Sequence, residues 1–491
     1  MKKALLGFLI PVFLIFSPGC EENPLRLLPP DGLVKDEYWK NKEDVEAVLM
    51  GAYQEFANMD DLLFYYGEIR GDMLQADYNL QDELVSIING NIYPWNSYAS
   101  WQSFYQIINY CNSVLKFSPQ VKSNDPTFTT YNYNSYNAEA VFLRSLAYFY
   151  MVRIFKDVPF VLYPYDTDNQ DFFPKKTESE IIIDSLEVHL NGILNKIPEE
   201  YKRIDITRGR ATRGAVYALL ADIALWKFDY ENCIRYVEKI EESELYDLLP
   251  GPEWFTIFSE GNTLEGIFEI QFDTKFGEYN NMASITHQSS HRVLASEYAN
   301  EILGRVTAKE MLRSEGSISE EYGTIWKYVG QQADGRTSRP GSELQSCNWI
   351  VYRRADLMLM KAEALSQVGR YNEALRIVNE IRIRAFVEPY NSWQNSPTAF
   401  EDLILEERAK ELAYEGKRWF DLLRMGRRNN YERKEKLIEV IIKNVPSTQK
   451  RVLAAKLNDP YGWYLPIEET EVENNPNLEQ NPYYKIYERE D

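Results

Sequence analysis

The stretch from Asn348 to Arg424 constrains the fold most tightly. In its YRRADLMLMKAEAL segment, Met358, Ala362 and Leu365 recur at i, i+4 and i+7; beyond Gly369-Arg370, Ala374, Val378, Ile381 and Ala385 make a second stripe. That period places apolar side chains on one face of a helix, so the segment reads as two antiparallel helices with a short connection. Ala362 and Ala374 permit close approach, Gly369 permits a left-handed C-cap, and Tyr371-Asn372-Glu373-Ala374 opens the return helix as in a tetratricopeptide unit. One such hairpin cannot bury both its faces and needs neighbours.

The next segment is denser in charge. Glu407, Glu411 and Glu415 lie at successive i, i+4 positions, with Arg408, Arg418, Asp421 and Arg424 interleaved among Leu412, Tyr414, Trp419, Phe420 and Leu422. Charge beside large aromatics reads as ion pairs packed against a core. Guanidinium groups keep a neighbouring carboxylate ionised, which makes it a poor general acid. The pattern is therefore a structural lock.

Upstream, Thr212 is the expected N-cap of a helix striped by Val216, Leu219, Leu220 and Ile223, and after Phe228-Asp229-Tyr230 a return helix uses Cys233, Val237 and Ile240. This is a second hairpin of the same type. Asn41 to Asp44 leads into an amphipathic helix with Val45, Val48, Leu49 and Tyr53; Asn137 to Phe155 is a long apolar helix stopped at Asp157-Val158-Pro159. Thr177-Glu178-Ser179-Glu180 predicts a capping box opening a helix through Leu194, and 427–456 predicts a charged, exposed helical region. Between the hairpins, residues 245–345 are rich in Gly, Ser and Asn, with short alternating runs such as Gly266 to Phe272. A long irregular insertion of this kind is usually functional.

ADLMLMKAEAL, VNEIRIRA, EERAKELAYEGKRWFDLLRMG and YLPIEETEVENNPNLEQNPYY together resemble the carboxy-terminal signature of the SusD-like (RagB/SusD) family, and NAEAVFLRSLAYFYMVRIF resembles its first internal signature. The resemblance implies a mostly α fold: a tetratricopeptide-like helical hairpin scaffold with a long irregular variable lobe containing short strands. It places a single SusD-like domain over residues 36–491, with scaffold at about 36–244 and 346–491 and the variable insertion at about 245–345. It further implies a non-enzymatic surface lipoprotein, without cofactor, that binds a nutrient, usually a glycan, for a SusC-like TonB-dependent outer-membrane transporter.

The amino terminus agrees with that expectation. Lys2 and Lys3 precede an apolar run from Ala4 to Phe16, then Ser17-Pro18-Gly19-Cys20. The run is shorter than the ~20 residues a spanning helix needs, so residues 1–19 read as a signal peptide. Cys20 would then be the lipidated amino terminus and the only membrane attachment, although Ser17 and Pro18 depart from the usual lipobox. Residues 20–35 form a proline-containing tether. The implied location is the outer membrane, at the cell surface of a Gram-negative bacterium.

Composition narrows the ligand. With 75 acidic against 54 basic residues and a formal charge of −21, nucleic acid is excluded as a partner on electrostatic grounds. Aromatics reach 14%, including 35 Tyr and 10 Trp, more than a helical solenoid core requires. Flat sugar faces stack on aromatic rings while their hydroxyls stay wet. In the segment from Asp77 to Ser103, Asn89, Gly90, Asn91 and Asn96 break the helical period, so Tyr78 and Trp95 are displayed on a loop, whereas Trp101 reads as core. The ligand candidates are Asp72, Tyr78, Trp95 and Asn96, with His287, Trp326 and Arg336 from the insertion; Tyr279, His291, Arg305 and Tyr328 belong to the same wider set. His287 and His291 have no third metal ligand beside them, and Cys111 and Cys233 read as inert buried thiols. A glycoside hydrolase with an Asp/Glu pair gains nothing from mere acid abundance. A binder of a non-glycan nutrient such as peptide, or a tetratricopeptide-type scaffold lipoprotein without its own ligand, is compatible with the same helical pattern.

Overall fold

The computed structural model describes residues 38–167, 169–287, 290–303, 310–319, 323–329, 345–443 and 445–487. Cys20, Arg305 and Arg336 lie outside the described residues. The fold is mostly α. Its long helices, numbered in chain order, are α1 Lys42–Ala57, α2 Asp60–Glu68, α3 Gln102–Asn124, α4 Thr130–Phe155, α5 Ser179–Asn191, α6 Arg213–Trp226, α7 Tyr230–Glu241, α8 Arg354–Gln367, α9 Tyr371–Arg384, α10 Pro397–Glu411 and α11 Arg418–Tyr431. Asn41 caps α1 with a reciprocal box to Asp44, and Thr212 caps α6 by accepting from the Ala215 N–H.

Both expected hairpins form, α6 with α7 and α8 with α9, the second turning at Gly369 with φ +81°. They are remote in sequence but adjacent in space, because α7 packs directly on α8. This gives each hairpin the neighbour it needs, and α10 covers the other side of α8. α1, α3 and α4 form a second packed layer, and the buried apolar side chains of the described residues join into one cluster.

Three short antiparallel pairs tie distant segments together. β1 (Leu74–Ala76) pairs with β3 (Val293–Ala295) in the register Leu74↔Ala295 to Ala76↔Val293. β2 (Gly266–Ile270) pairs with β4 (Trp349–Arg353), joining the start of the insertion to the foot of α8. Val158–Pro159 pairs with Lys176–Thr177.

Three local expectations are corrected. Thr177 is used in the last of these pairs, so it caps nothing; α5 starts at Ser179, whose N–H donates to Asp157 Oδ1 at 3.0 Å, and it ends at Asn191 rather than Leu194. The alternation in β2 does not mark a wet face, because all five residues are buried. Inside, Glu269 Oε2 accepts from the Asn262 N–H at 2.9 Å and from Asn348 Nδ2 at 2.8 Å. The region 427–456 is not wholly exposed: Leu437, Ile438, Val440 and Ile441 are buried, and Arg428 and Arg433 pair with buried Glu401.

The charged segment is an internal lock. Glu415 receives Arg353 through Nε and Nη2, both at 2.8 Å, and Lys327 Nζ at 2.6 Å. Glu411 receives Arg353 Nη1 at 2.8 Å, the Trp254 indole N–H at 3.2 Å, and Arg384. Arg313 bridges Glu407 at 2.8 Å and Glu310 at 2.6 Å. Glu265 pairs with Arg353 and Arg384. Burial pushes the Glu411 carboxyl up, but Arg384, Arg353 and Arg313 outweigh it and hold the group below the usual carboxylate range. Glu265, Glu310, Arg313 and Lys327 lie between the two hairpins in sequence, so the lock ties that stretch to α9, α10 and β4.

Glu68, at the end of α2, behaves oppositely. It is fully buried, and its Oε1 accepts from the backbone N–H of Gly416 at 2.8 Å and of Lys417 at 3.2 Å. Burial pushes its carboxyl up to about 8, against those backbone bonds. Its folded pKa is thus raised above the unfolded one, so the native state holds a proton that the unfolded chain releases, and stability falls as pH rises from the unfolded value towards 8. Glu68→Gln keeps the amide-facing acceptor and removes that proton. The variant is expected to gain stability relative to the parent between pH 5 and 8, read from urea midpoints; parallel midpoints across that range would contradict it.

Candidate functional site

The site is assembled where the first aromatic loop meets the insertion. β1 and β3 make that meeting obligatory, since their register continues past the strand ends: the Asp77 N–H donates to the Arg292 carbonyl at 3.0 Å and Asn79 Nδ2 to the His291 carbonyl at 3.4 Å. His291 Nδ1 lies 3.1 Å from Asp77 Oδ2. Tyr78, 86% exposed, stands edge-on to the His291 ring at 6.5 Å. At the other end of α2, Asp60 accepts from the Asn281 N–H and from Asn281 Nδ2, both at 2.7 Å. Burial raises the Asp60 carboxyl to about 6 in spite of those bonds. Residues 281 and 291–295 are thereby joined to the start of α2 and to the strand that follows it.

The loop that follows carries the aromatic surface. Tyr93 and Trp95 stack with centroids 4.9 Å apart and planes 6° apart, and Trp95 remains 46% exposed. Their turn is held from several sides. The Pro94 carbonyl accepts from the Glu469 N–H at 2.9 Å. Asn96 Oδ1 accepts from the Tyr98 N–H at 3.0 Å, while its Nδ2 donates to the Glu83 carbonyl at 3.0 Å. The Glu83 carboxylate accepts from the Ser97 N–H and hydroxyl at 3.0 and 2.6 Å. A platform fixed in this way loses little entropy when a flat ligand face settles on it. Half-buried Tyr98 packs edge-on against Tyr65 at 5.8 Å, and its hydroxyl donates to Gln81 Oε1 at 3.2 Å.

Of the residues singled out from sequence, Tyr78 and Trp95 are displayed to solvent, and the strands bring Tyr78 together with His291. Asp72 and Asn96 are instead committed to the fold. Asp72 is buried and takes both Nε and Nη2 of Arg418 at 2.6 and 2.7 Å, which fastens the approach to β1 onto α11. Asn96 is buried as the brace of the platform turn. His287 is half-buried, and burial pushes its imidazole down. Trp326 is half-buried, its backbone N–H donating to the Ser317 carbonyl at 2.7 Å beside the Ile318–Ile325 bridge. Tyr328 belongs to the core, stacked on Trp349 at 5.4 Å. Sequence reading does not single out Asp77 or Tyr98 as site residues; the only signal for either is membership of the aromatic loop.

Among the described residues, no group of three or more His, Cys, Asp or Glu side chains is placed to hold a metal ion. Cys111, Cys233 and Cys347 are buried and unbridged, and burial raises the Cys111 thiol to about 12. The arrangement offers rings, amides and hydroxyls around a wet surface, which is chemistry for holding a hydroxylated ligand.

Two family models match the chain. One, described as the SusD family, covers residues 265–484; the other, described as starch-binding associating with outer membrane, covers residues 30–225. The chain is 27% identical to SusD-like protein P38 of Formosa agariphila, over 98% of this chain and 99% of that one. Among solved structures, surface glycan-binding protein A from Bacteroides uniformis superposes with a TM-score of 0.73 at 20% identity, covering 90% of this chain and 100% of its own. A laminarin-binding SusD-like protein superposes with a TM-score of 0.72 at 21% identity, covering 90% and 99%.

Proposed function

This chain belongs to the SusD family, and from that premise we propose that it is a cell-surface glycan-binding lipoprotein which captures an oligosaccharide or polysaccharide and delivers it to a SusC-like TonB-dependent outer-membrane transporter. The observation that carries the glycan reading is the braced Tyr93–Trp95 stack with its exposed Trp95 ring, and exposed Tyr78 stands on the other side of the short helix Asp82–Ile88. Such rings bind the apolar faces of pyranoses while the sugar hydroxyls stay in water. Two solved proteins of the same fold support it by their names, one laminarin-binding and the other a surface glycan-binding protein. The proposed ligand-contacting residues are Tyr78 and Trp95, with His287 and Trp326 as further candidates; Arg336, the remaining candidate, lies outside the described residues.

The protein performs no chemistry in this scheme. The carboxylates of the lock are buried and paired with cations, so they face no substrate. Outer-membrane association follows the family description, and among the described residues no helix is long and apolar enough to cross a membrane. The anchor is Cys20, after a signal peptide at 1–19 and ahead of a tether to residue 35, with the helical scaffold turned towards the transporter.

Affinity electrophoresis of the mature chain through gels containing soluble polysaccharides, with a reducing-end assay on the same mixtures, tests this reading. Retardation by one polysaccharide class without new reducing ends is expected. Release of sugar would make the protein an enzyme, and retardation by no polysaccharide would overturn the glycan reading.

A further inference from the structure

A second concave surface lies apart from the strand junction. It encloses about 350 Å³, within the range of small-ligand sites, and is built from three segments remote in sequence: the start of α3, the loop before α5, and the carboxy-terminal stretch. Its walls are aromatic. Tyr165 and Phe172 stack at 5.4 Å with planes 19° apart, and Phe172 and Phe173 are 49% and 46% exposed. Two phenyl rings about half exposed at the rim of a cavity are costly in water unless something apolar covers them.

The cavity is also equipped with polar groups and held rigid. Gln102, Glu471 and Asn474 line it among the rings. Asn475 Nδ2 donates to the Pro174 carbonyl at 3.0 Å and Asn477 Nδ2 to the Phe173 carbonyl at 2.7 Å, clipping the aromatic loop to the carboxy-terminal stretch. Gln170 staples the same loop from inside, donating to the Pro164 carbonyl at 2.7 Å and accepting from the Asp166 N–H at 2.8 Å. Burial raises the Glu471 carboxyl, offset by a side-chain hydrogen bond from Trp101, so this acceptor sits in a partly dry wall. The helix Glu469–Asn474 that supplies Glu471 and Asn474 is the one whose Glu469 N–H meets Pro94 beside the Trp95 platform.

We propose that this groove is a second carbohydrate subsite, taking neutral hexose units through stacking on Tyr165, Phe172 and Phe173 and hydrogen bonds to Glu471, Gln102 and Asn474. It rests on the glycan reading above. Charge selects the neutral class: Glu468, Glu469, Glu471 and Glu473 crowd the groove's helix in a chain of formal charge −21, so uronate or sulfate groups are repelled.

The test is calorimetric titration of the mature protein with maltohexaose and laminarihexaose, and with an oligogalacturonate of the same length, in the parent, Phe172→Ala, Glu471→Gln and Trp95→Ala. Circular dichroism confirms the fold of each. The expected result is that at least one neutral hexasaccharide binds, that Phe172→Ala and Glu471→Gln each lower its affinity about tenfold (about 1.4 kcal/mol) or remove one of two sites, and that the oligogalacturonate does not bind. Neutral binding unchanged in both groove variants overturns the groove while the glycan reading stands. Equal binding of the oligogalacturonate through the groove overturns the neutral class, and no binding of either neutral hexasaccharide by the parent overturns the subsite, whereas the glycan reading falls only if no polysaccharide retards the parent.

Discussion

Arg353→Met is expected to lower the free energy of unfolding by about 3–5 kcal/mol, the cost of removing one partner from a buried ion pair. Methionine fills much of the space but leaves three carboxylates short of a cation. Arg353 gives Nε and Nη2 to Glu415 and Nη1 to both Glu411 and Glu265, while Nη2 also reaches the Glu411 carbonyl at 2.8 Å. All four side chains are buried. A surface pair of the same geometry would contribute only ~0–1 kcal/mol, since water would replace it. Acid titration gives a second readout. Burial raises the Glu415 carboxyl, but Arg353 and Lys327 outweigh it and hold the group below its ordinary value. A depressed folded pKa contributes stability above the unfolded carboxylate value and loses it as pH falls through the folded one. Removing Arg353 should therefore move the acid-unfolding midpoint to higher pH. A change below about 1 kcal/mol with an unmoved acid midpoint would show that the network is not a lock.

Gly67→Ala is expected to cost about 3 kcal/mol, at the upper end for overpacking. A Cβ at Gly67 would lie 1.9 Å from the Gly416 carbonyl oxygen and 2.2 Å from its carbon, and backbone cannot rotate aside as a side chain can. Relief requires α2 to back away from the turn at Tyr414–Gly416, where Tyr414 and Gly416 hold φ of +66° and +69°. That movement would stretch the Glu68 bonds to Gly416 and Lys417 and disturb the Asp72–Arg418 pair just beyond. Gly51→Ala is the control. It lies within α1 and its Cβ would meet only the Tyr110 ring, at 3.8 Å, so the gain in helix propensity should leave it neutral or up to ~1 kcal/mol more stable. Thermal melts that place Gly67→Ala level with Gly51→Ala would refute the close approach of α2 to that turn.

The helical scaffold was legible because its signal is local. A stripe such as Met358, Ala362 and Leu365 states a helix and its buried face within a few residues, and Gly369 marks the turn by the φ it alone tolerates cheaply. The lock was half legible. Glu407, Glu411 and Glu415 announce a paired network by their spacing, but Arg313 lies 94 residues from Glu407 and Lys327 lies 88 from Glu415, and nothing local in sequence encodes such a pairing. Asp72 shows the converse. It was a ligand candidate, yet an arginine 346 residues away holds it inside the fold. Trp95 could be read as exposed because glycine and asparagine break the helical period around it, and Tyr93 beneath it follows from the same loop. The groove had no signature, since its rings stand on segments that look like a helix start, a loop and a tail. Their convergence is tertiary.

Presentation of the glycan-binding surface by the segment between β1 and α3, on either side of the short helix Asp82–Ile88, is the central proposal. It is tested most directly by titrating the mature chain and the Tyr78→Ala/Trp95→Ala double variant with the polysaccharide that retards the parent. Both rings are exposed, so the melting temperature should not move. Affinity is expected to fall at least about tenfold, equivalent to about 1.4 kcal/mol, at an unchanged melting temperature. Undiminished affinity in a folded double variant would contradict the proposal and place the ligand elsewhere on the molecule.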